Sequence, residues 1–500
     1  MLARLFSFAT IGLHSELVTV EIDVGKGMCG LTIVGLGDTA VQESKERIRS
    51  AIRNSGLKFP GAKKTTINLA PADIRKVGPR FDLPMAVGML LALGELDLIP
   101  EDFSDTIFIG ELALDGTLRH VSGVLPVAIA ARNRGMKRIV VPATNGPEAA
   151  LVPGIEVIAP ESLAELLLIL CREKEPPLIP PPASAPRNFE DLVDFADVHG
   201  QESAKRALEI AAAGGHNVLM SGAPGAGKTL LAKAFRGILP PLTREEALEV
   251  TQIYSVADLL PRGVPLLEQR PFRCVHHTAS GVSIVGGGKM PGPGEISLAH
   301  HGVLFLDELA EFPVQVLEVL RQPLEDRTIT ITRASGSVSF PANFILVAAM
   351  NPPEFSATSA RAMRRKISAP LLDRFDLMID VQPVDIEDIR KKKTRNSVTT
   401  AEILARVIRA REAQYKRLSS TGLQINAQMD VRSIEKFCPL DTASESLLIQ
   451  AVRRLNLSMR AYHRMIKVAR TIADLEGADA IAQCHIAEAL QYRQNIGVEV

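Results

Sequence analysis

Gly222-Ala-Pro-Gly-Ala-Gly-Lys228-Thr229 fits the pattern G-x-x-x-x-G-K-[ST] at every position. The apolar run 217–221 before it predicts a strand, and 230–235 after it predicts a helix. Glycines at such a junction let backbone N–H groups close around phosphate oxygens, and the helix N-terminus adds positive potential. The predicted phosphate-binding residues are Gly222, Ala223, Pro224, Gly225, Ala226, Gly227, Lys228, Thr229 and Leu230.

Acidic residues follow a second apolar run, Val303-Leu-Phe-Leu306. Asp307 at the end of this predicted strand would hold Mg²⁺ together with the Thr229 hydroxyl, and Glu308 would polarise the attacking water. A third apolar run ends at Asn351, which would orient the water near the terminal phosphate. Lys228 would reach the outer phosphates of bound ATP.

Buried strands, each followed by a loop or helix, predict a parallel α/β fold after residue 187. The preceding residues mix short strands and helices, which favours an α+β domain. A charged and then proline-rich stretch between them predicts an extended linker. We therefore expect domains at 1–172, 188–385 and 386–500, the last helical, with a linker at 173–187.

Composition excludes several classes of protein. The 500 residues hold 57 Lys+Arg and 57 Asp+Glu, so overall charge cannot drive nucleic-acid binding, although a local basic channel can. Five scattered cysteines lack the spacing of a zinc ribbon or disulfide framework. Aromatic residues make up 4%, which disfavours base-stacking platforms. Without a signal peptide or a membrane-length apolar run, we expect a soluble cytoplasmic protein.

Longer motifs resemble the AAA+ ATPases, and most closely the magnesium-chelatase-like competence protein ComM (YifB) family. The resemblance covers nearly the whole chain and rests on motifs such as Asn68-Leu-Ala-Pro-Ala-Asp73, Pro293-Gly-Glu-Ile-Ser-Leu-Ala-His300 and Leu320-Arg-Gln-Pro-Leu-Glu325. It implies an AAA+ P-loop ATPase core with a C-terminal helical lid. It also implies an α+β N-terminal domain of the Lon-protease-like (ribosomal S5 domain 2-like) fold.

The resemblance implies a homohexamer with ATP at the subunit interfaces. Arg374 then resembles the arginine finger that acts in trans, and Arg460 the sensor-2 arginine of the lid. Val198, Gly200 and Gln201 match positions that hold the adenine. The cofactors implied are ATP and Mg²⁺.

The family's cellular role is DNA branch migration with helicase activity during recombination in natural transformation. The implied partners are single-stranded and branched DNA and recombination proteins, with no membrane. Two segments would line the pore of the ring, a loop at 276–294 and a hairpin at 328–340. The candidate DNA contacts are His276, His277, Lys289 and Arg333.

Two departures from the family pattern stand out. Asn351 is not followed by the cysteine-rich insertion that family members commonly carry. In the N-terminal domain, Val77-Gly-Pro-Arg80 and Ser122-Gly-Val-Leu-Pro126 match the regions of the Lon Ser–Lys dyad, but neither nucleophile nor base is there. The sequence therefore does not predict peptide hydrolysis by a Ser–Lys dyad.

Three alternatives to a DNA motor stay open. One is a chelatase-type ATPase that remodels a partner protein, and another is an ATP-dependent protease. The third is a non-catalytic ATP-binding scaffold. The histidine pairs His276/His277 and His300/His301 show no metal-ligand spacing to an acidic residue, which disfavours a metal site. The basic run 390–393 is typical of a solvated surface.

Overall fold

The computed structural model describes residues 2–25, 28, 30–57, 59, 63–94, 103–179, 193–261, 263–288, 291–333, 336–352, 367–383, 398–455 and 457–493. The strands are β1 Leu2–Ile11, β2 His14–Gly25, β3 Gly30–Val34, β4 Lys64–Ala70, β5 Thr106–Phe108, β6 Glu111–Leu112, β7 Leu118–Arg119, β8 Arg138–Val140, β9 Glu156–Ile158, β10 Val218–Gly222, β11 Phe272–Val275, β12 Gly286–Gly287, β13 Gly292–Pro293, β14 Val303–Leu306, β15 Thr328–Arg333, β16 Gly336–Pro341, β17 Ile345–Met350 and β18 Leu377–Val381.

The α-helices are α1 Thr39–Asn54, α2 Asp82–Leu93, α3 Val124–Asn133, α4 Gly146–Ala149, α5 Leu163–Leu170, α6 Glu202–Gly214, α7 Lys228–Phe235, α8 Arg244–Val256, α9 Gly281–Val285, α10 Glu295–Leu298, α11 Val314–Val319, α12 Arg321–Asp326, α13 Ala369–Leu372, α14 Thr400–Leu418, α15 Val431–Phe437, α16 Thr442–Arg454, α17 Met459–Glu476 and α18 Gln483–Gln491. None of these described helices is long and apolar enough to cross a membrane.

The chain forms two compact units. The first comprises Met1–Ala185 and Arg244–Leu267, and the second comprises Pro186–Thr243 and Glu268–Val500. Helix α8 therefore belongs to the first unit, although the sequence placed it inside the ATPase core. The finer domain boundaries stay a prediction.

The first unit is built on a seven-stranded mixed sheet in the order β3-β4-β2-β1-β5-β8-β9. Strands β1 and β2 form a long antiparallel hairpin in which Leu2 pairs with Asp23 and Ile11 with His14. Alternate residues of β2, including Val18, Val20 and Ile22, are buried, as the period of two predicts. Helix α2 is buried almost throughout and packs on this face. The predicted α+β character is confirmed.

The second unit has a five-stranded sheet in the order β11-β14-β17-β10-β18, and every pair in it is parallel. Strand β10, which leads into the glycine-rich stretch, lies between β17 and β18. Because parallel strands present their carboxyl ends at one edge, the residues after β10, β14 and β17 converge. The predicted α/β class and helical C-terminal region are confirmed.

The C-terminal helices share the core of the second unit with the sheet. Helix α14 starts at a capping box, in which the Thr399 side chain accepts from Glu402 N and the Glu402 side chain accepts from Thr399 N. Helices α14 and α17 pack against α6. His216, fully buried at the end of α6, lies 2.9 Å from Thr471 Oγ1 and 3.4 Å from Asp376 Oδ2. These polar contacts tie the helical region to the start of β18.

Candidate nucleotide-binding and hydrolysis site

The glycine-rich stretch turns sharply between β10 and α7. Gly225 and Gly227 have φ of +81° and +92°, values that L side chains rarely adopt. Gly222 is required for a different reason, since a Cβ there would lie 2.3 Å from the Val381 carbonyl oxygen on β18. No side chain caps α7. Its first N–H groups are therefore left without a capping side chain, and the first three residues of α7 line the cleft, as an anion site requires.

Lys228 is buried at the start of α7. Its Nζ donates to the carbonyl oxygens of Gly222 (2.6 Å) and Ala223 (3.0 Å), and to Asn351 Oδ1 (3.1 Å). Burial lowers the pKa of Lys228, and the carboxylates of Asp307 and Glu308 act against that effect. The predicted lysine and the predicted Asn351, 123 residues apart in the chain, thus meet in one site.

Thr229 and Asp307 also meet, because Thr229 Oγ1 donates to Asp307 Oδ2 over 3.0 Å. The other oxygen of Asp307 accepts from Glu308 N at 3.0 Å, and Glu308 has a φ of +54°. A hydroxyl and a carboxylate at this distance are the oxygen ligands that Mg²⁺ takes beside a phosphate chain. The residues present therefore fit a magnesium ion.

A cleft of about 340 Å³ joins these groups, and Lys228 is the one cation among the described residues that line it. Its lining consists of Pro224, Gly225, Ala226, Gly227, Lys228, Thr229, Leu230, Asp307, Glu308, Ala349, Met350 and Asn351. A nucleoside triphosphate carries more negative charge than one lysine offsets. The cleft thus suits a phosphate chain whose charge is balanced further by a divalent cation and by cations from outside it.

His277, a candidate DNA contact, lies beside Glu308, the predicted hydrolytic carboxylate. Its Nδ1 is 3.0 Å from Glu308 Oε2, although the direction departs from hydrogen-bond geometry. Ligand atoms of His276, His277 and Glu308 all lie within 4.8 Å of one another. The sequence spacing had offered no acidic partner for these histidines. The fold supplies one because β11 and β14 are adjacent and parallel, with Val275 opposite Leu306.

The predicted adenine-side residues lie just before α6. Gly200 and Gln201 have φ near +60°, and the Gln201 amide donates to Ala226 O (3.5 Å) and to Gln382 O. Val198 is buried in the core of the second unit. Gln201 therefore contacts the glycine-rich loop, whereas none of these three residues lines the cleft itself.

Arg374 and Arg460 lie together, but neither lines the cleft. Arg374 forms an ion pair with Glu325, and Arg460 Nη2 lies 4.0 Å from the same carboxylate. Asn217 holds the backbone of the first arginine, since its Nδ2 donates to Arg374 O over 3.0 Å. In the sequence Asn217 is only the first residue of the strand predicted before the glycine-rich stretch, and the contact that gives it this role is 157 residues away.

The two predicted pore segments meet in the structure. Strands β15 and β16 form the expected hairpin, with Arg333 opposite Gly336. A Cβ on Gly287 would lie 2.8 Å from Arg333 Nη2, so the guanidinium covers the glycine stretch. That stretch, expected to be a loop, contains the short helix α9 and the paired strands β12 and β13. Lys289 lies outside the described residues, as does the basic run 390–393.

In the first unit, the two segments matched to the protease dyad come together around an arginine. Arg80 Nη1 donates to Thr10 Oγ1 (2.6 Å) and Nη2 to Ser122 O (3.0 Å). Burial lowers the pKa of Arg80 to about 10. A guanidinium that donates to a hydroxyl and a carbonyl is a structural tie, and it supplies no nucleophile.

Comparison with known proteins agrees with this geometry. Residues 194–389 match the family described as magnesium chelatase, subunit ChlI, residues 20–145 match subunit ChlI of Mg-chelatase, and residues 397–493 match its C-terminal part. Competence protein ComM of Haemophilus influenzae is 42% identical, over 98% of this chain and 97% of that protein.

Two further relatives are similar to this chain to different extents. The uncharacterized protein YifB of Escherichia coli is 42% identical, over 97% of this chain and 96% of its own. The magnesium-chelatase 38 kDa subunit of Cereibacter sphaeroides is 22% identical over 58% of this chain and 88% of that subunit. With the P-loop cleft and the parallel sheet described above, the chain belongs to the ComM/YifB family of magnesium-chelatase-like AAA+ ATPases.

Proposed function

We propose that this chain is an ATP-driven DNA motor of the branch-migration type, which works as a homohexamer in the cytoplasm. Its substrates would be single-stranded and branched DNA during recombination in natural transformation, together with recombination proteins. The observation that carries the ATPase part is the meeting of Lys228, Thr229, Asp307, Glu308 and Asn351 in one cleft. The DNA part rests on near full-length similarity to a competence protein.

Each residue of the cleft has a proposed task. The N–H groups of the glycine-rich loop and α7 would bind the phosphates, and Lys228 would exchange its carbonyl partners for phosphate oxygens. Thr229 and Asp307 would hold Mg²⁺, which offsets phosphate charge when bound. Glu308 would accept a proton from the attacking water, and Asn351, already beside Lys228, would orient that water.

The positions of two arginines support a ring of subunits, and its size of six is what the family resemblance implies. Arg374 and Arg460 both approach Glu325, and neither lines the cleft of the same chain. We infer that both serve the ATP of an adjacent subunit, where they stabilise charge on the transferring phosphoryl group. A ring in which each subunit completes its neighbour's site satisfies this requirement.

The proposed DNA contacts are His276, His277, Lys289 and Arg333. Arg333 is exposed near the turn of the β15–β16 hairpin, beside the α9 segment, which is a suitable position for phosphate contact. For His277, the contact with Glu308 adds a second candidate role, in ATP hydrolysis.

An alternative is an ATPase that remodels a protein partner, as the similarity to a magnesium-chelatase subunit suggests. It differs from the motor in what stimulates hydrolysis. A DNA motor should turn over ATP faster when DNA is bound, whereas a protein-remodelling ATPase should be indifferent to DNA.

The test is steady-state ATP hydrolysis without DNA, with single-stranded DNA and with a branched DNA junction. We expect both DNAs to raise the rate, the junction also to be migrated, and Glu308→Gln to abolish turnover while ATP binding persists. Hydrolysis that no DNA accelerates would contradict the motor and favour the remodelling ATPase. An active Glu308→Gln variant would contradict the assignment of the hydrolytic residue.

A further inference from the structure

One carboxylate, that of Glu325, faces both arginines that the proposed function assigns to a neighbouring subunit. Its Oε2 pairs with Arg374 Nη2, and its Oε1 lies 4.0 Å from Arg460 Nη2. The Arg374 side chain is 11% exposed, whereas those of Glu325 and Arg460 are more than half exposed. Glu325 thus contacts the largely buried guanidinium of Arg374 from the side that faces solvent.

The surroundings of this pair carry an excess of positive charge. Burial lowers the pKa of Arg374, Glu325 acts against that effect, and the nearby Arg460, Arg464 and Arg321 add to it. Arg374 Nε and Arg464 Nη1 are buried and have no hydrogen-bond partner among the described residues. Such a cluster favours an additional anion. The phosphate oxygens of a neighbour's ATP would therefore compete with Glu325 for the same guanidinium.

Glu325 is also close to the proposed DNA-binding hairpin along the chain. It belongs to α12, which ends at Asp326, and β15 begins two residues later at Thr328. The base of the hairpin is closed by the hydrogen bond from Ala342 N to Arg327 O (2.8 Å). Only Asp326 and Arg327 separate Glu325 from the hairpin along the chain, so a movement of the hairpin would also move Glu325.

We propose that Glu325 restrains Arg374 and Arg460 while the hairpin is free, and that DNA on the hairpin withdraws Glu325 and releases both arginines to the adjacent subunit's ATP. The carboxylate is then a positioning residue that couples DNA binding to hydrolysis. The inference rests on the proposed function, because the arginines must act in trans and the hairpin must contact DNA.

The test compares Glu325→Gln with Glu318→Gln in the full-length chain. Glu318, in the preceding helix α11, forms a 2.6 Å ion pair with Arg321 at the start of α12, so its substitution removes a similar charge and pair from the same region. Hydrolysis is measured without DNA and with saturating single-stranded DNA, and ATP binding is measured by calorimetry. We expect Glu325→Gln to raise the DNA-free rate by about two- to fivefold, the factor that a partly exposed ion pair supplies.

The rate with saturating DNA should stay unchanged, so the stimulation factor falls, and Glu318→Gln should behave like the wild type. In an Arg374→Ala background, which should be nearly inactive, Glu325→Gln should not restore hydrolysis, because releasing Arg460 alone does not replace Arg374. If Glu325→Gln lowers the hydrolysis rate both with and without DNA, or leaves both rates at the wild-type value, the restraint by Glu325 is overturned. The proposed function would still stand in that case, provided that Arg374→Ala is inactive. If Arg374→Ala hydrolyses ATP normally, the trans-arginine proposal fails and this inference with it.

Discussion

Gly302 shows how a single residue fixes the sheet of the ATPase. It precedes β14, and a Cβ there would lie 2.0 Å from the Pro271 carbonyl oxygen, which accepts a hydrogen bond from Val303 N. Gly302→Ala would push the two chain segments apart and should destabilise the protein by about 1–3 kcal/mol. Gly281→Ala is the control, since its Cβ would meet Val316 at an ordinary 3.8 Å. Thermal unfolding midpoints that match for the two variants would contradict this prediction.

His277 and its neighbour allow a second prediction at this scale. His277 Nδ1 lies 3.0 Å from Glu308, whereas His276 Nδ1 lies 3.0 Å from Thr278 Oγ1. His277→Ala should lower the hydrolysis rate by about two- to tenfold, the worth of one polar contact, by leaving Glu308 without its partner. His276→Ala should leave that rate unchanged. Measured DNA affinities separate the roles: a His277→Ala defect in DNA binding alone would return this residue to the DNA interface.

The sequence predicted those site residues that lie in a contiguous motif or directly after a buried strand. Lys228, Thr229, Asp307, Glu308 and Asn351 are of this kind, and they meet as expected because the parallel strands end at one edge. His277 and Asn217 act through partners far away in the chain, so local pattern could not assign them. A contact that depends on which strands are neighbours can be predicted only once the order of strands in the sheet is known.

At the scale of elements, interior strands were easier to predict than edge strands. Strands β10, β14 and β17 are covered on both sides and read as continuous apolar runs. Strands β11 and β18 lie at the edges of the sheet, where Arg273 and Asp380 interrupt the apolar pattern. The β15–β16 hairpin was predictable from alternation and its turn. The short elements within 276–294 were not, because glycine dominates them.

The hairpin supports a third prediction, on DNA affinity. Arg333→Ala should weaken single-stranded DNA binding and reduce the slope of log affinity against log salt by about one, since one phosphate contact is lost. Hydrolysis without DNA should be unaffected because Arg333 is not among the residues that line the cleft. Arg432→Ala removes an exposed arginine from α15 and is the matched control. Equal salt slopes for the wild type and Arg333→Ala would argue against the hairpin as a DNA contact.

The joint between the sheet and the helical region gives a fourth prediction, on pH. Burial acts to raise the pKa of Asp376, but the hydrogen bond from His216 and the charges of His216, Arg464 and Lys467 outweigh it and bring the pKa to about 2. Because this value lies below the ordinary one, the ionised carboxylate stabilises the fold above about pH 4. That contribution is lost as the pH falls towards 2.

Asp376→Asn should therefore cost about 2 kcal/mol of unfolding free energy at pH 7. The difference from the wild type should shrink between about pH 4 and pH 2. Calorimetric unfolding at several pH values measures it. Asp430→Asn, at an exposed N-cap of α15, is a control in which no buried ion pair is removed. A difference between Asp376→Asn and the wild type that is the same at pH 7 and pH 3 would contradict this account.

For the whole molecule, the location of positive charge is more informative than its sum. Lys+Arg and Asp+Glu are equal at 57 each, so any DNA attraction must come from local groups such as the hairpin. The cleft likewise has a single lysine among its described lining residues, while Arg374 and Arg460 gather at Glu325. If both arginines act on a neighbour's ATP as proposed, a lone subunit would bind ATP but lack the cations that speed its hydrolysis.

Subunit mixing tests this dependence on a neighbour. Lys228→Ala removes the lysine proposed to bind phosphate but keeps Arg374, and Arg374→Ala does the reverse. Each variant alone should be nearly inactive. When the two variants are mixed in equal amounts, rings should assemble at random. Each interface is heterologous, so it joins the cleft of one subunit to the arginine of the next, and about one interface in four should have both intact. Hydrolysis should then return to about a quarter of the wild-type rate.

The control replaces the Lys228→Ala partner with the Lys228→Ala/Arg374→Ala double variant, which brings no arginine and should restore nothing. An arginine that served its own subunit's ATP would give no recovery in either mixture, since neither variant would then hold both parts in one chain. Recovery in both mixtures would mean that Arg374→Ala subunits hydrolyse ATP without any finger. Recovery in the first mixture alone is the outcome that a ring of mutually completed sites requires.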